Sequence, residues 1–197
     1  MENTRVRMVE AGLRLFQKQG YAETSWRELV KEGGTPWGSV HHFFPGGKEE
    51  LARDALALFS TRVEESFTQI CAAHPRPADR IRTWFESMAR QMDELGFTSG
   101  CPVAGIALNT VPMSASLAAL CRETMTQWAD LIARGIKDES IDSARAQALA
   151  TTILVACEGA LVLARVYQSS ESLRTAGIAL AAMLEPAASA TTRKLWE

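Results

Sequence analysis

Apolar residues recur at intervals of three and four along almost the whole chain, and glycine, proline and small polar residues fill the interruptions. That spacing puts apolar side chains on one face of a helix. Val6, Val9, Leu13 and Phe16 mark a first helix, closed by Gly20, a residue that tolerates a left-handed C-terminal position. Ser25-Trp-Arg-Glu28 reads as a capping box, in which the serine hydroxyl accepts from the Glu28 backbone N–H and the glutamate reaches back. The short helix behind it turns Leu29 and Val30 inward and stops at Gly33-Gly34. Thr35-Pro36 opens a third helix, threonine as N-cap and proline at the first helical position, running to about Phe43. Beyond Pro45-Gly46-Gly47 a long helix extends from Lys48 to about Cys71.

The later helices are longer. Asp79 to about Leu95 carries Ile81, Trp84, Phe85, Met88 and Met92 on one face. Pro102 to Thr110 is short, and Ser114 to about Gly135 carries Leu117, Leu120, Cys121, Met125, Trp128 and Leu131. Ser143 to Gln168 is nearly continuously apolar, and Ser170 to Leu184 holds Leu173, Ala176, Leu180 and Leu184 in register. The tail from Pro186 to Glu197 is small and polar apart from Trp196. With no strand pattern and no internal repeat, the chain is expected to be all-α.

Within the first 50 residues, two short helices joined by a tight glycine turn make a helix-turn-helix pattern. Gly34 allows the close crossing and Val40 anchors the second helix. Thr35, Trp37, Ser39 and His41 are then the exposed set, and Gly38 permits close backbone approach. The same pattern fits a helical hairpin inside any bundle, so taken alone it leaves both readings open.

Composition narrows the class without choosing a function. The 197 residues are 47% apolar and 22% charged, an ordinary globular balance that excludes a disordered or collagen-like chain. The formal net charge is −2, and residues 1–51 hold seven basic and seven acidic side chains. A nucleic-acid reading therefore rests on motif and geometry rather than on bulk charge. The N-terminus opens polar, without a signal core. The longest uncharged run, Leu95 to Cys121, is broken by Gly, Pro, Ser, Thr and Asn and does not make a membrane span. The four cysteines show no CxxC spacing. A cytoplasmic protein with free thiols, no metal and no cofactor is expected.

Val9-Glu-Ala-Gly-Leu-Arg-Leu-Phe16, Gly20-Tyr21, Thr24-Ser25, Gly34, Gly38-Ser-Val-His-His-Phe-Phe44 and Lys48-Glu-Glu-Leu51 together, and in this order, resemble the DNA-binding region of the TetR family of transcriptional regulators. Pro45-Gly-Gly-Lys48, one glycine longer than the usual form, and Gly100-Cys-Pro-Val-Ala104 are similar to a branch of repressors of multidrug-efflux and flavonoid-responsive genes. The chain departs from the family habit at Val30, Thr35, Trp37 and His41, where alanine, an apolar residue, a small or basic residue and tyrosine are usual. The resemblance implies a helix-turn-helix DNA-binding head at 1–47 and an effector-binding and dimerisation bundle at 48–197. Double-stranded operator DNA is the implied partner. Thr35, Trp37 and Ser39 would read base edges or thymine methyls, His41 and Lys48 would hold phosphates, Ser25 and Arg27 would lie near the flanking backbone, and Pro36, Gly38 and His42 would belong to the same DNA-binding surface.

One such head makes too few contacts for tight binding, so a dimer reading half-sites roughly 34 Å apart is implied. Ala144, Ala148, Thr152, Ala156, Gly159, Ala160 and Leu163, with Leu173, Ala176, Gly177 and Leu180, are the expected homodimer face on the last two helices. Trp84, Phe85, Met88, Met92, Phe97, Leu108, Met113, Met125 and Trp128 mark the neighbourhood of a pocket for a small hydrophobic effector. Glu158 and Asn109 are its candidate polar groups, and Arg165 is a second charge in the apolar eighth helix. The expected function is a repressor released from its operator by such an effector. A redox regulator acting through Cys101, whose thiol would be activated at a helix start, is the rival. An enzyme is not expected, since no triad, carboxylate pair, metal spacing or phosphate loop stands out.

Overall fold

The computed structural model describes residues 4–110, 114–138 and 141–185, which form nine α-helices. These are α1 (Thr4–Gln19), α2 (Trp26–Gly33), α3 (Ser39–Phe43), α4 (Gly47–Ala73), α5 (Pro77–Glu94), α6 (Pro102–Thr110), α7 (Ala115–Ile136), α8 (Ser143–Tyr167) and α9 (Glu171–Leu184). Among the described residues there is no strand, only an isolated bridge between Asp138 and Ile141. Met113 and the tail from Pro186 lie outside the described residues, as does the side chain of Asn109.

Local chemistry sets the first three helices. α1 buries Met8, Val9, Gly12, Leu13 and Phe16, while Val6, expected on this face, is exposed and Met8 takes the interior place. The capping box forms: the Glu28 N–H donates to Ser25 Oγ at 3.3 Å, and the Ser25 N–H donates to Glu28 Oε2 at 2.8 Å. Gly34 closes α2 in the left-handed region, with φ of 56°, where a side chain would be strained.

The third helix is shorter than its sequence suggests. The Thr35 N–H donates back to the Val30 carbonyl at 3.1 Å, so Thr35 ends α2 rather than capping α3. Two tight turns follow, Ser39 N–H to Pro36 O at 3.0 Å and Val40 N–H to Trp37 O at 3.2 Å, and regular helix begins only at Ser39. Thr35 is buried with its methyl against Gly33, and its hydroxyl has no partner among the described residues. A side chain held there cannot turn back to serve as a cap.

Two hydrophobic clusters fill the molecule. One gathers α1 to α3, the first half of α4, α6 and the first half of α7 around Phe16, Leu29, Phe44, Leu56, Ile106 and Trp128. The other gathers the end of α4, α5, the end of α7, α8 and α9 around Phe67, Ile81, Phe85, Ile153, Leu173 and Leu180. Val63 of α4 and Leu154 of α8 pack against both and mark the seam. In the second cluster α5 and α9 approach so closely that a Cβ on Gly177 would lie 2.6 Å from Phe85 Cβ. Among the described residues α8 alone is long and apolar enough to cross a bilayer by length and composition. It lies against α7 and α9 with one face in the core.

Candidate functional site

α3 is held by two side chains four residues apart. Val40 and Phe44 are buried, and Arg5 stacks over the Phe44 ring at 5.2 Å. The opposite side is therefore open. Pro36, Trp37, Gly38, His41 and His42 are exposed, Ser39 is half-buried, and Trp37 keeps 59% of its surface despite its size. Ser25 and Arg27, at the start of α2, are exposed as well. Eight of the sequence-predicted positions thus lie on the surface of one compact head.

Two predicted positions do not. Thr35 is buried for the reason given above, so its side chain is not offered to a base edge. Lys48 points inward: its ammonium donates to the carbonyls of Tyr21 and Thr24, each at 2.9 Å, and sits 4.3 Å from the Tyr21 ring centroid. Burial pulls its pKa below the usual lysine range, against the opposing charges of Glu23 and Glu28. Lys48 ties the start of α4 to the α1–α2 connection. Its position in the sequence gave no sign of those carbonyls.

A cavity of about 330 Å³ lies at the seam of the two clusters. Trp84, Met88, Met92, Trp128 and Glu158, singled out in the sequence, are on its wall. Phe85 is not: it is fully buried behind Trp84, against Gly177. Met125 packs into the first cluster instead of lining the cavity. The sequence reading missed Leu13 and Gln17 of α1, Phe59 and Arg62 of α4, and Leu154 of α8. Only α4 held a signal, since Phe59, Val63 and Ser66 recur at helical spacing on the side facing the cavity.

Gln17, Arg62, Ser66, Ser87, Gln91 and Ser99 add polar groups to this wall, and Cys101, just before α6, meets Glu158 of α8 there. Burial raises the Glu158 carboxyl above the usual carboxylate range, partly offset by a hydrogen bond from the Cys101 thiol. Burial and the neighbouring Glu158 push the Cys101 thiol well above its ordinary value, even though the Ala104 N–H donates to its sulfur at 3.5 Å. The expected activation of Cys101 at a helix start is thus reversed, because desolvation and an adjacent carboxyl outweigh the helix terminus. Cys157 lies beside Met88, Sγ to Sδ 3.5 Å, and burial and Glu158 raise it too. Arg165 does not pair with Glu158. It donates from Nη2 to the Lys18 carbonyl at 3.2 Å, joining α8 to the end of α1. Among the described residues no three metal-ligating side chains converge.

On the outside of α8, Thr152, Val155, Gly159, Val162, Leu163 and Val166 form an exposed face, and Ile178 and Met183 of α9 are exposed as well. Leu173, Gly177 and Leu180, expected on such a face, are buried against the rest of the chain. The exposed side of α9 is instead that of Ile178 and Met183.

Residues 8–55 match the family described as bacterial regulatory proteins, tetR family, and residues 77–179 match the C-terminal domain of LmrA/YxaF-like transcriptional regulators. The chain is 33% identical over 161 residues to the HTH-type transcriptional regulator YxaF of Bacillus subtilis, covering 82% of this chain and 84% of that one. It is 29% identical over 171 residues to the HTH-type transcriptional regulator LmrA of the same organism, covering 87% and 91%. The crystal structure of a TetR transcriptional regulator from Legionella pneumophila superposes with a TM-score of 0.83 at 18% identity, over 94% of this chain and 99% of that one, a likeness of fold. TetR-family regulators are DNA-binding proteins that act as dimers. A helix-turn-helix head joined to a cavity-bearing helical body, matched at both ends of the chain, means that this protein belongs to the TetR family of transcriptional regulators, with an LmrA/YxaF-like C-terminal domain.

Proposed function

We propose that this regulator is a repressor released from its operator by a small hydrophobic, aromatic effector, and that it acts in the cytoplasm without enzymatic activity. Residues 1–47 are the DNA-binding head, and residues 48–197 bind the effector and dimerise. The observation that carries this reading is the position of the cavity. It is lined by Leu13 and Gln17 of α1 and by Phe59 and Val63 of α4 as well as by α5, α7 and α8, so an occupant touches the helices that seat the head. A ligand that prefers one seating of the head over another shifts the population toward it and changes affinity for DNA. α4 runs from the head to the cavity wall and is the coupling element.

In the head, Trp37, Gly38, Ser39 and Pro36 face the bases, with His41, His42, Ser25 and Arg27 toward the backbone. The homodimer forms through the exposed face of α8 and α9, where Gly159 and the valines allow two helix pairs to meet.

The test is binding of the purified protein to DNA upstream of its own and neighbouring genes, at fixed salt, against unrelated competitor. Selective binding is expected, weakened by at least about tenfold in Trp37→Ala through loss of base contacts. An aromatic compound that fits the cavity is expected to reduce it in the wild type. A filled cavity in Met88→Trp is expected to abolish that response. DNA binding that no cavity ligand alters would overturn the effector reading.

A further inference from the structure

Glu158 and Arg62 are the only charged side chains on the described wall of the cavity. Arg62 is held by Glu10 of α1. Glu158 has no arginine, lysine or histidine within ion-pair distance among the described residues. Among the described residues its hydrogen-bond partner is the thiol of Cys101, a weak donor that carries no charge. The other sulfur groups nearby, Cys157 and Met88, are also uncharged and bring no compensation. A carboxyl in an apolar wall is costly unless something pairs with it. The rest of the surroundings suits a cation. Trp84 and Trp128 belong to the same wall, and Phe59 meets the Trp128 ring edge-on at 5.7 Å between centroids. Aromatic faces attract a cation through their quadrupole and give no such preference to a neutral hydroxyl.

We infer that the cavity selects a flat aromatic ligand bearing a protonated amine, with Glu158 as the residue that sets this specificity by pairing with the ammonium group. The inference rests on the reading of the cavity as the effector site. The aromatic part of the ligand lies among Trp84, Trp128 and Phe59, and the ammonium replaces the thiol as the carboxyl's main partner. An anionic ligand is disfavoured, since it would place a second acid beside Glu158, and Arg62 on the same wall is already held by Glu10. The raised carboxyl of the empty cavity agrees with this, because a bound cation restores the charged form.

The probes are 1-naphthylmethylamine, 1-naphthylmethanol and the carboxylate anion 1-naphthaleneacetate, one ring system in three charge states. Binding is measured by calorimetry at neutral pH, with release of bound DNA followed in parallel. The wild type is expected to bind the amine at least about tenfold tighter than the alcohol, as a hydrogen bond to a charged partner should give. The acetate is expected to bind weakest. In Glu158→Gln, which keeps size and shape, the amine and the alcohol are expected to agree within about twofold. Equal affinity for amine and alcohol in the wild type, a comparison that needs no variant, would overturn the inference and leave the effector reading standing if both release DNA. An amine preference that persists in Glu158→Gln would also overturn it. Binding of none of the three would overturn the cavity reading together with the inference.

Discussion

Around Phe16 and Phe44 the chain folds back over short distances in sequence, through a capping box at Ser25 and a left-handed turn at Gly34. Around Phe67 and Phe85 it closes between distant helices, where a Cβ on Gly135 would strike the Phe67 ring and a Cβ on Gly177 would strike Phe85 Cβ. The first core is specified largely by local chemistry and the second by complementary shape. Where the two meet, at Val63 and Leu154, neither kind of information fills space completely, and there the cavity lies. A regulator built this way has two differently specified cores and a seam between them that holds the cavity.

The comparison breaks most visibly if the two cores are independent. Phe16→Ala in the first and Phe85→Ala in the second each remove a fully buried ring and are expected to cost about 3–5 kcal/mol. Because α4 and α7 run through both cores, both variants should lower the midpoint of one common urea transition at fixed protein concentration. Two resolved steps in the Phe16→Ala chain would show the head melting separately.

A smaller effect sharpens the contrast between the cores. Gly177→Ala forces a methyl against Phe85 Cβ between two packed helices and is expected to destabilise by about 1–3 kcal/mol. Gly12→Ala places its methyl 3.3 Å from the side chain of Leu51, which can shift. The gain in helix propensity should hold the net change below about 1 kcal/mol. Thermal denaturation of the two variants side by side checks this, and equal losses would erase the distinction drawn between the cores.

The smallest effect is the most local. Ser25→Ala removes the capping box and is expected to cost about 1 kcal/mol. Amide hydrogen exchange should quicken in α2 while α5 and α9 keep their protection. Faster exchange in α9 would mean that the head and body share more than the seam.

These contrasts also explain what the sequence makes legible. The helix order, the Ser25 box and the Gly34 turn follow from neighbours a few residues apart. Thr35 misleads because Thr-Pro is a good local start signal, while its N–H is committed to closing the preceding helix. Lys48 misleads because its partners lie on another loop, and a lysine's carbonyl contacts leave no trace in spacing. On α9, Leu173, Gly177 and Leu180 share one face at helical spacing, and the spacing alone fits an outer face as well as an inner one. Only the approach of α5 decides which side is buried. The cavity was half legible: Trp84, Met88, Met92 and Trp128 stand out by residue type, whereas Leu13 and Gln17 are ordinary positions of a helix otherwise read as part of the head.

The inward turn of Lys48 has a consequence for how the protein meets DNA. Arg5 is paired with Asp54 and Glu50, and Arg14 with Glu32, so much of the head's positive charge is already neutralised within the protein. Counterion release then contributes little, and the slope of log affinity against log salt is shallow, since it scales with the number of phosphates neutralised. Binding to bulk DNA is almost wholly this electrostatic term. Weak retention on bulk DNA is therefore expected, with discrimination left to the directional and apolar contacts proposed for Trp37 and its neighbours.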